Sequence, residues 1–294
     1  MTAVPPTPFR LRTNGVTLAG VEAGPRDGPV VLLLHGFPEC AFSWRHQVPA
    51  LAAAGFRAVA PDLRGYGGSS APAGVRHYDV TRLVGDVLGL LDHFAGPGRP
   101  AHVVGHDWGG GLAWLAAMWH PDRVSRLAVL NAPHPAAFAR EMRRSWGQRL
   151  KSWYMLFFQL PWLPEAMLSW GDFAFLRRTY RTGPARDPAT GRPDRAAEDR
   201  YVAALARPAA LSAAINWYRA SARRPPSWFE RSFRPIACPT LLLWGDRDAF
   251  LSRQLTEDLG QWVPRLTVRH FPAATHWLQT DDPAGVNEAL LRFL

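Results

Sequence analysis

The acid whose surroundings most suggest chemistry is Asp107. It sits in VVGHDWGG, Val103 to Gly110, where an apolar run enters Gly105-His106-Asp107-Trp108-Gly109-Gly110 and a helical pattern (Leu112, Trp114, Leu115, Met118) follows. A strand, a sharp turn and a helix, with glycines on both sides of one acid, predict an elbow that lifts a nucleophile clear of a sheet. Serine is the usual occupant of such a turn; here it is a carboxylate. The plainer alternative is a tight connection in which Asp107 only caps the following helix. The hexapeptide alone leaves both open.

A nucleophile needs a base and an orienting acid, and in open parallel sheets such groups gather at the carboxyl ends of strands. Pro239 to Trp244 ends in Gly245-Asp246-Arg247-Asp248-Ala249-Phe250, and Leu266 to Phe271 is followed by Ala273-Ala274-Thr275-His276-Trp277. His276 stands apart from the other histidines because it follows the final strand in a loop. Asp248 is preferred to Asp246 as its partner, since apolar Phe250 and Leu251 lie beyond it while Asp246 suits the turn. Asn131, after the strand RLAVLNAP, is a further candidate for orienting the base. The HGFP stretch, His35 to Pro38, leaves the first parallel strand and can aim the Phe37 N–H at the same spot as the Trp108 N–H. Two such donors form an oxyanion hole, each commonly worth about a hundredfold in rate. Alone, HGFP would read as a Gly-Pro turn with Pro38 a candidate for a cis bond.

These residues need strands to carry them. Residues 9–23 alternate around Asn14-Gly15 as a hairpin, and Pro29 to His35 is an uninterrupted apolar run suited to a strand buried on both faces. Trp44 to Ala54 reads as a short helix closed by Gly55, Arg57 to Leu63 as the next strand, and Asp79 as the cap of a helix through Leu91. After Arg126 to Pro133 the alternation stops. Tryptophan-rich helical stretches then surround the Pro-, Gly- and charge-dense loop Gly183 to Arg195. Alternation resumes at Pro239, with a helix from Ser252, the strand Leu266 to Phe271 and an amphipathic helix from Pro283 to Leu294. The expectation is an α/β fold: a mostly parallel central sheet with helices on both faces, a core of residues 1–133 and 235–294, and an inserted helical cap of residues 134–234.

Composition narrows the partners. With 47% apolar residues and 13 tryptophans the chain can bury a real core. The beginning, MTAVPPTPFR, has no apolar stretch of signal-peptide length, and no run approaches the roughly 20 residues that cross a bilayer, so a cytoplasmic protein with no membrane partner is expected. Cys40 and Cys238 are too few for a disulfide framework or a metal pattern. The net charge is +10, and of 34 basic residues only Lys151 is lysine. Residues 134–234 hold 18 basic and 8 acidic residues and so carry the whole excess. Their arginines are scattered, without the aromatic interleaving of a nucleic-acid groove, so nucleic acid is not expected.

Together, HGFPE, GHDWGG, WGDRDAFL and ATHW resemble the epoxide hydrolases of the α/β-hydrolase family over nearly the whole chain. The resemblance implies two cap tyrosines that activate an epoxide, and Tyr154 in WYMLFFQ and Tyr218 in INWYR stand in the family's contexts. Tyr66, Tyr78, Tyr180 and Tyr201 do not and are read as structural. The implied reaction fits the residue types. Aspartate with a pKa near ~4 is ionised and can attack a strained carbon, while tyrosine near ~10 stays protonated and can donate to the epoxide oxygen. An ester on Asp107 would then be hydrolysed by water activated by His276 and Asp248, giving a vicinal diol without metal or organic cofactor. The partner is a small-molecule epoxide, apolar or aromatic to suit the aromatic cap, and the chain could act as a monomer or a homodimer. The basic cap raises the further idea of steering acidic substrates.

Three rivals share parts of this pattern. A haloalkane dehalogenase would normally show Asn in place of Phe37. A haloacetate dehalogenase would want arginines just after the nucleophile. A non-catalytic binding module on the same fold would usually lack a member of the triad, and none is missing here.

Overall fold

The structure is a computed structural model and describes residues 5–294; Met1 to Val4, part of the beginning examined for a signal segment, lie outside the described residues. Its centre is an eight-stranded sheet. The hairpin comes first, as β1 (Thr7–Thr13) and β2 (Val16–Ala23), with Asn14 and Gly15 at positive φ in the turn. Then follow β3 (Val30–Leu34), β4 (Arg57–Pro61), β5 (Ala101–His106), β6 (Val124–Leu130), β7 (Thr240–Gly245) and β8 (Leu266–Phe271). The spatial order is β1-β2-β4-β3-β5-β6-β7-β8, parallel from β4 to β8. Only β2 runs against the other strands, antiparallel to both β1 and β4.

Period-two alternation along the buried strands separates two apolar layers. Val30, Leu32, Val103, Leu127, Val129 and Leu242 face one side, toward α2 (Val80–Phe94) and α3 (Trp108–Trp119). Val31, Leu33, Val104, Ala128, Leu241 and Leu243 face the other, toward α1 (Gln47–Ala53) and, near the chain's end, a helix at Pro283–Phe293. Helix α3 is apolar nearly all round because it is buried on several sides at once. The Asp79 carboxylate accepts from Thr81 N–H and caps α2.

Between β6 and β7 the chain forms α4 (Pro135–Arg144), α5 (Trp146–Lys151), α6 (Trp153–Phe157), α7 (Leu163–Thr182), α8 (Arg195–Ala206), α9 (Ala210–Ala222) and α10 (Pro226–Ser232). Helix α7 is broken where Gly171, Asp172 and Phe173 take left-handed φ. After β8 come α11 (Leu278–Asp281) and α12 (Pro283–Phe293).

Two local expectations need correction. The helix expected from Ser252 is a single 3-10 turn, Arg253–Thr256: Asp258 at φ 53° and Gly260 stop its propagation, and Leu255, Leu259 and Val263 are buried from an irregular path instead. The helix expected from Trp44 to Ala54 is a 3-10 turn, Ala41–Trp44, followed by α1 from Gln47.

Candidate active site

The loops that leave β3, β5, β7 and β8 meet over the carboxyl edge of the sheet. Asp107 follows β5 at φ 50°, ψ −121°, a conformation that costs an L-residue roughly 1–3 kcal/mol and persists only where surroundings enforce it. They do so through close approach. A Cβ on Gly109 would collide with the Leu34 and His35 carbonyls, and one on Gly36 would collide with the Asp107 carboxylate itself. Although Asp107 occupies the N-cap position of α3, its side chain makes no capping hydrogen bond. Its Oδ1 instead accepts from Phe37 N–H at 2.7 Å, and Trp108 N–H also donates to the carboxylate. The Phe37–Pro38 peptide is cis.

Across from it, His276 Nε2 lies 3.6 Å from Asp107 Oδ2, while His276 Nδ1 is 2.7 Å from Asp248 Oδ2. A carboxylate can only accept here, so Nδ1 carries a proton and Nε2 is the nitrogen turned toward Asp107. Asp248 is held on both oxygens: Oδ1 accepts from Phe250 N–H at 2.7 Å and Leu251 N–H at 2.9 Å, and Oδ2 from Asn131 Nδ2 at 2.7 Å. Asn131 in turn accepts from Gly245 N–H at 2.8 Å. Asp246 is not part of this group; its Oδ1 is 2.7 Å from His270 Nδ1.

Burial pushes both carboxyls toward the neutral form, yet both are held below the usual range. For Asp107 the His276 ring 3.6 Å away outweighs desolvation, and for Asp248 the His276 charge does so. The same interactions act on the ring. Burial pulls His276 down, but the Asp248 charge and the Asp107 carboxylate 3.6 Å away raise it to about 10. In the free protein the three groups form an anion–cation–anion array in which His276 and Asp248 are buried and Asp107 is partly exposed.

Tyr154 on α6 and Tyr218 on α9 enter from above. Their rings are 5.9 Å apart and nearly perpendicular, and Tyr218 lies 5.0 Å from Trp108 and 5.5 Å from Phe37. Phe250 bridges to the other side, 5.8 Å from Tyr154 and 5.3 Å from His276. Burial first, and the Asp107 charge second, push both phenols well above their ordinary range, so both remain protonated donors. Tyr78 and Tyr180 spend their hydroxyls on the Pro72 and Pro38 carbonyls.

The matching family model, alpha/beta hydrolase fold, covers residues 29–283. Epoxide hydrolase A of Mycobacterium tuberculosis is 38% identical across 98% of this chain and 97% of its own, and Homo sapiens epoxide hydrolase 4 is 39% identical across 97% and 77%. A Bacillus megaterium epoxide hydrolase solved in complex with an inhibitor superposes with a TM-score of 0.85, at 28% identity over 97% of this chain and 99% of that one. The chain belongs to the epoxide hydrolases of the α/β-hydrolase fold family.

In this epoxide hydrolase, residues that the sequence reading left unassigned lie behind His276. The His276 carbonyl oxygen is 2.8 Å from His106 Nε2, which must therefore donate. His106 Nδ1 is 3.0 Å from Glu39 Oε2 and 3.2 Å from Gln279 Nε2, and Ser43 Oγ donates to Glu39 Oε1 at 2.7 Å. All four side chains are fully buried. Glu39 and His106 sit inside HGFPE and GHDWGG, so their motifs were visible; that they face each other across β3 and β5 was not.

Proposed function

We propose that this chain hydrolyses an epoxide to a vicinal diol by way of a covalent ester on Asp107. The observation that carries the reading is the pair of directions in which one strained, partly buried carboxylate is addressed: Oδ1 by the Phe37 N–H, Oδ2 by His276. Asp107, ionised and poorly solvated, attacks a ring carbon. Tyr154 and Tyr218 hydrogen-bond the epoxide oxygen as one of its C–O bonds breaks, and one of them gives it a proton, so the ring opens to a hydroxyl on the carbon beside the new ester and one phenolate is left.

Ester formation changes His276. Once esterified, Asp107 carries no charge, and the imidazolium loses one of its two anionic partners while remaining buried. Its pKa falls, the ring gives up a proton that by way of solvent restores the phenol, and neutral Nε2 can draw a proton from water. Asp248 holds the ring and offsets the charge that returns to it. Water attacks the ester carbonyl and the Phe37 and Trp108 N–H groups stabilise the oxyanion; as it collapses the acyl C–O bond breaks, the diol oxygen takes the proton of the new carboxyl, and Asp107 returns as a carboxylate with one oxygen from solvent.

Residues 134–234 act as the cap that brings the tyrosines over the core at 1–133 and 235–294. The aromatic rings around Asp107 suit an apolar or aromatic epoxide. Intact-mass spectrometry of His276→Ala after exposure to an aryl epoxide and, separately, a bromoalkane tests this. The reading expects a stable adduct of the epoxide's mass on Asp107 and none from the bromoalkane. An alkyl adduct from the bromoalkane alone would indicate dehalogenation.

A further inference from the structure

The cap's tryptophans were expected to pack the cap or line a substrate pocket. Four of the six tryptophans in residues 134–234 face outward instead. Trp146, Trp153, Trp162 and Trp170 are 74%, 57%, 73% and 80% exposed, and Leu150 and Leu156 beside them are 72% and 77% exposed. At about 150–250 Å² per aromatic side chain, the tryptophans alone present on the order of 600 Å² of apolar surface, as much as the largest patch on an ordinary monomer. They share one stretch of chain. Trp146, Leu150 and Trp153 recur at i, i+4 and i+7 along α5 and α6, and Trp162 and Trp170 follow at the two ends of the first part of α7. Arg219 pins the turn between these helices through the Phe158 and Leu160 carbonyls and Glu165. The inward sides of α5 and α6 carry Gln148, bonded to the Phe250 carbonyl, and Tyr154. The exposed face is therefore the outer surface of the wall that holds a candidate catalytic tyrosine.

The charge around this face is net positive, even though Glu230 pairs with Arg143, Glu198 with Arg177 and Arg181, and Asp199 with Arg177. Residues 140–181 contain eight basic and three acidic residues. The three acids are matched, Glu141 by Arg140, Glu165 by Arg219 and Asp172 by Arg177. Arg144 and Arg178 are exposed and make no ion pair among the described residues, and Arg149 stacks over Trp146 with backbone carbonyls as its partners. A two-fold contact with a second copy would press two positive rims together, whereas an anionic surface would neutralise them. We infer that the outer face of α5, α6 and the start of α7 docks on an anionic lipid bilayer, with the tryptophans seated at the headgroup level and the arginines on lipid phosphates. The earlier expectation of no membrane partner rested on spanning segments, and among the described residues no helix is long and apolar enough to cross a membrane; peripheral contact requires none. Docking would also place the cap against the phase in which apolar epoxides concentrate.

Vesicle flotation of the full chain tests this, with phosphatidylcholine vesicles compared against phosphatidylcholine mixed with phosphatidylglycerol. The expected result is binding at least tenfold tighter to the anionic vesicles, weakened by salt, with tryptophan emission quenched by bromine-labelled acyl chains. A triple variant, W146S/L150S/W170S, keeps every charge. It should lose at least tenfold in binding while turnover of a water-soluble epoxide stays unchanged. R144Q/R178Q should lose severalfold and flatten the salt dependence. Unaltered binding of the triple variant would mean general adsorption of a cationic protein and would overturn the inference. So would an absence of vesicle binding together with a concentration-dependent dimer in sedimentation velocity. Should the triple variant fold poorly, bromine quenching of the parent protein decides: no quenching refutes docking.

Discussion

Replacing Asp107 by Asn removes the proposed nucleophile and a charge together, and the two consequences can be read separately. Diol formation should fall by at least a thousandfold, because an amide neither attacks the epoxide nor forms the ester. The His276 ring, raised to about 10 partly by Asp107, should titrate at lower pH in D107N by NMR, since a carboxylate that favoured the cation is gone. The same sign governs turnover. Hydrolysis of the ester needs the neutral ring, so its single-turnover rate should climb with pH and level off well below 10; a midpoint near 10 would mean that Asp107 contributes little to the shift. In the proposed reaction the tyrosines belong to the other half-reaction. Tyr154→Phe or Tyr218→Phe should slow ester formation by about 10- to 100-fold, and the double variant by more than either, while hydrolysis of ester already formed is nearly unchanged in rapid-quench measurements.

Among the elements, the elbow and the loop facing it form one packed unit rather than two turns. Gly36→Ala places a methyl group against the Asp107 carboxylate, and overpacking of this kind costs about 1–3 kcal/mol. The expected readout is a lowered melting temperature together with at least a tenfold loss of kcat/KM, since the oxyanion loop must move to make room. Behind the unit, Glu39→Ala would orphan His106, Ser43 and Gln279 in a fully buried space. Taking the shared partner out of a buried hydrogen-bond network costs about 1–3 kcal/mol for a group left unsatisfied, measurable by urea denaturation, and Glu39→Gln should recover part of it. His276 would then be less firmly held through its own backbone carbonyl, so kcat should fall in folded E39A without a matching rise in KM.

At the scale of the whole molecule, the helical segment between β6 and β7 is tied to the sheet at several separate points. Tyr180 donates to the Pro38 carbonyl at 2.6 Å, Trp217 Nε1 to the Arg64 carbonyl at 3.0 Å, Lys151 Nζ to the Asp248 carbonyl at 2.7 Å, and Arg224 pairs with both oxygens of Asp79. Two of these anchors end on the loops that carry Phe37 and Asp248, so seating the segment also steadies both loops. Tyr180→Phe leaves the buried Pro38 carbonyl without its donor and should cost about 1–3 kcal/mol. Hydrogen exchange should quicken in residues 35–40 as well as in α7. Protection lost in α7 alone would show that the oxyanion loop stands without the helices above it.

Much of this was open to reading from the chain by itself. The β and α periodicities, the elbow glycines and the histidine after the last strand are local patterns, and local sterics and apolar spacing are properties of sequence. So the strand succession and the interrupting helical segment were legible, as were the positions of Asp107 and His276. Other features depend on which strands become neighbours. Asp246 and Asp248 are two residues apart and chemically alike; only the pairing of β7 with β6 and β8 turns Asp248 to His276 and Asn131 and Asp246 to His270. Glu39 and His106 are 67 positions apart and meet because β3 lies beside β5. The cap tryptophans carry the same apolar signal whether they point inward or outward. Their direction was set by how short helices turn around Arg219, a tertiary event that hydropathy does not encode.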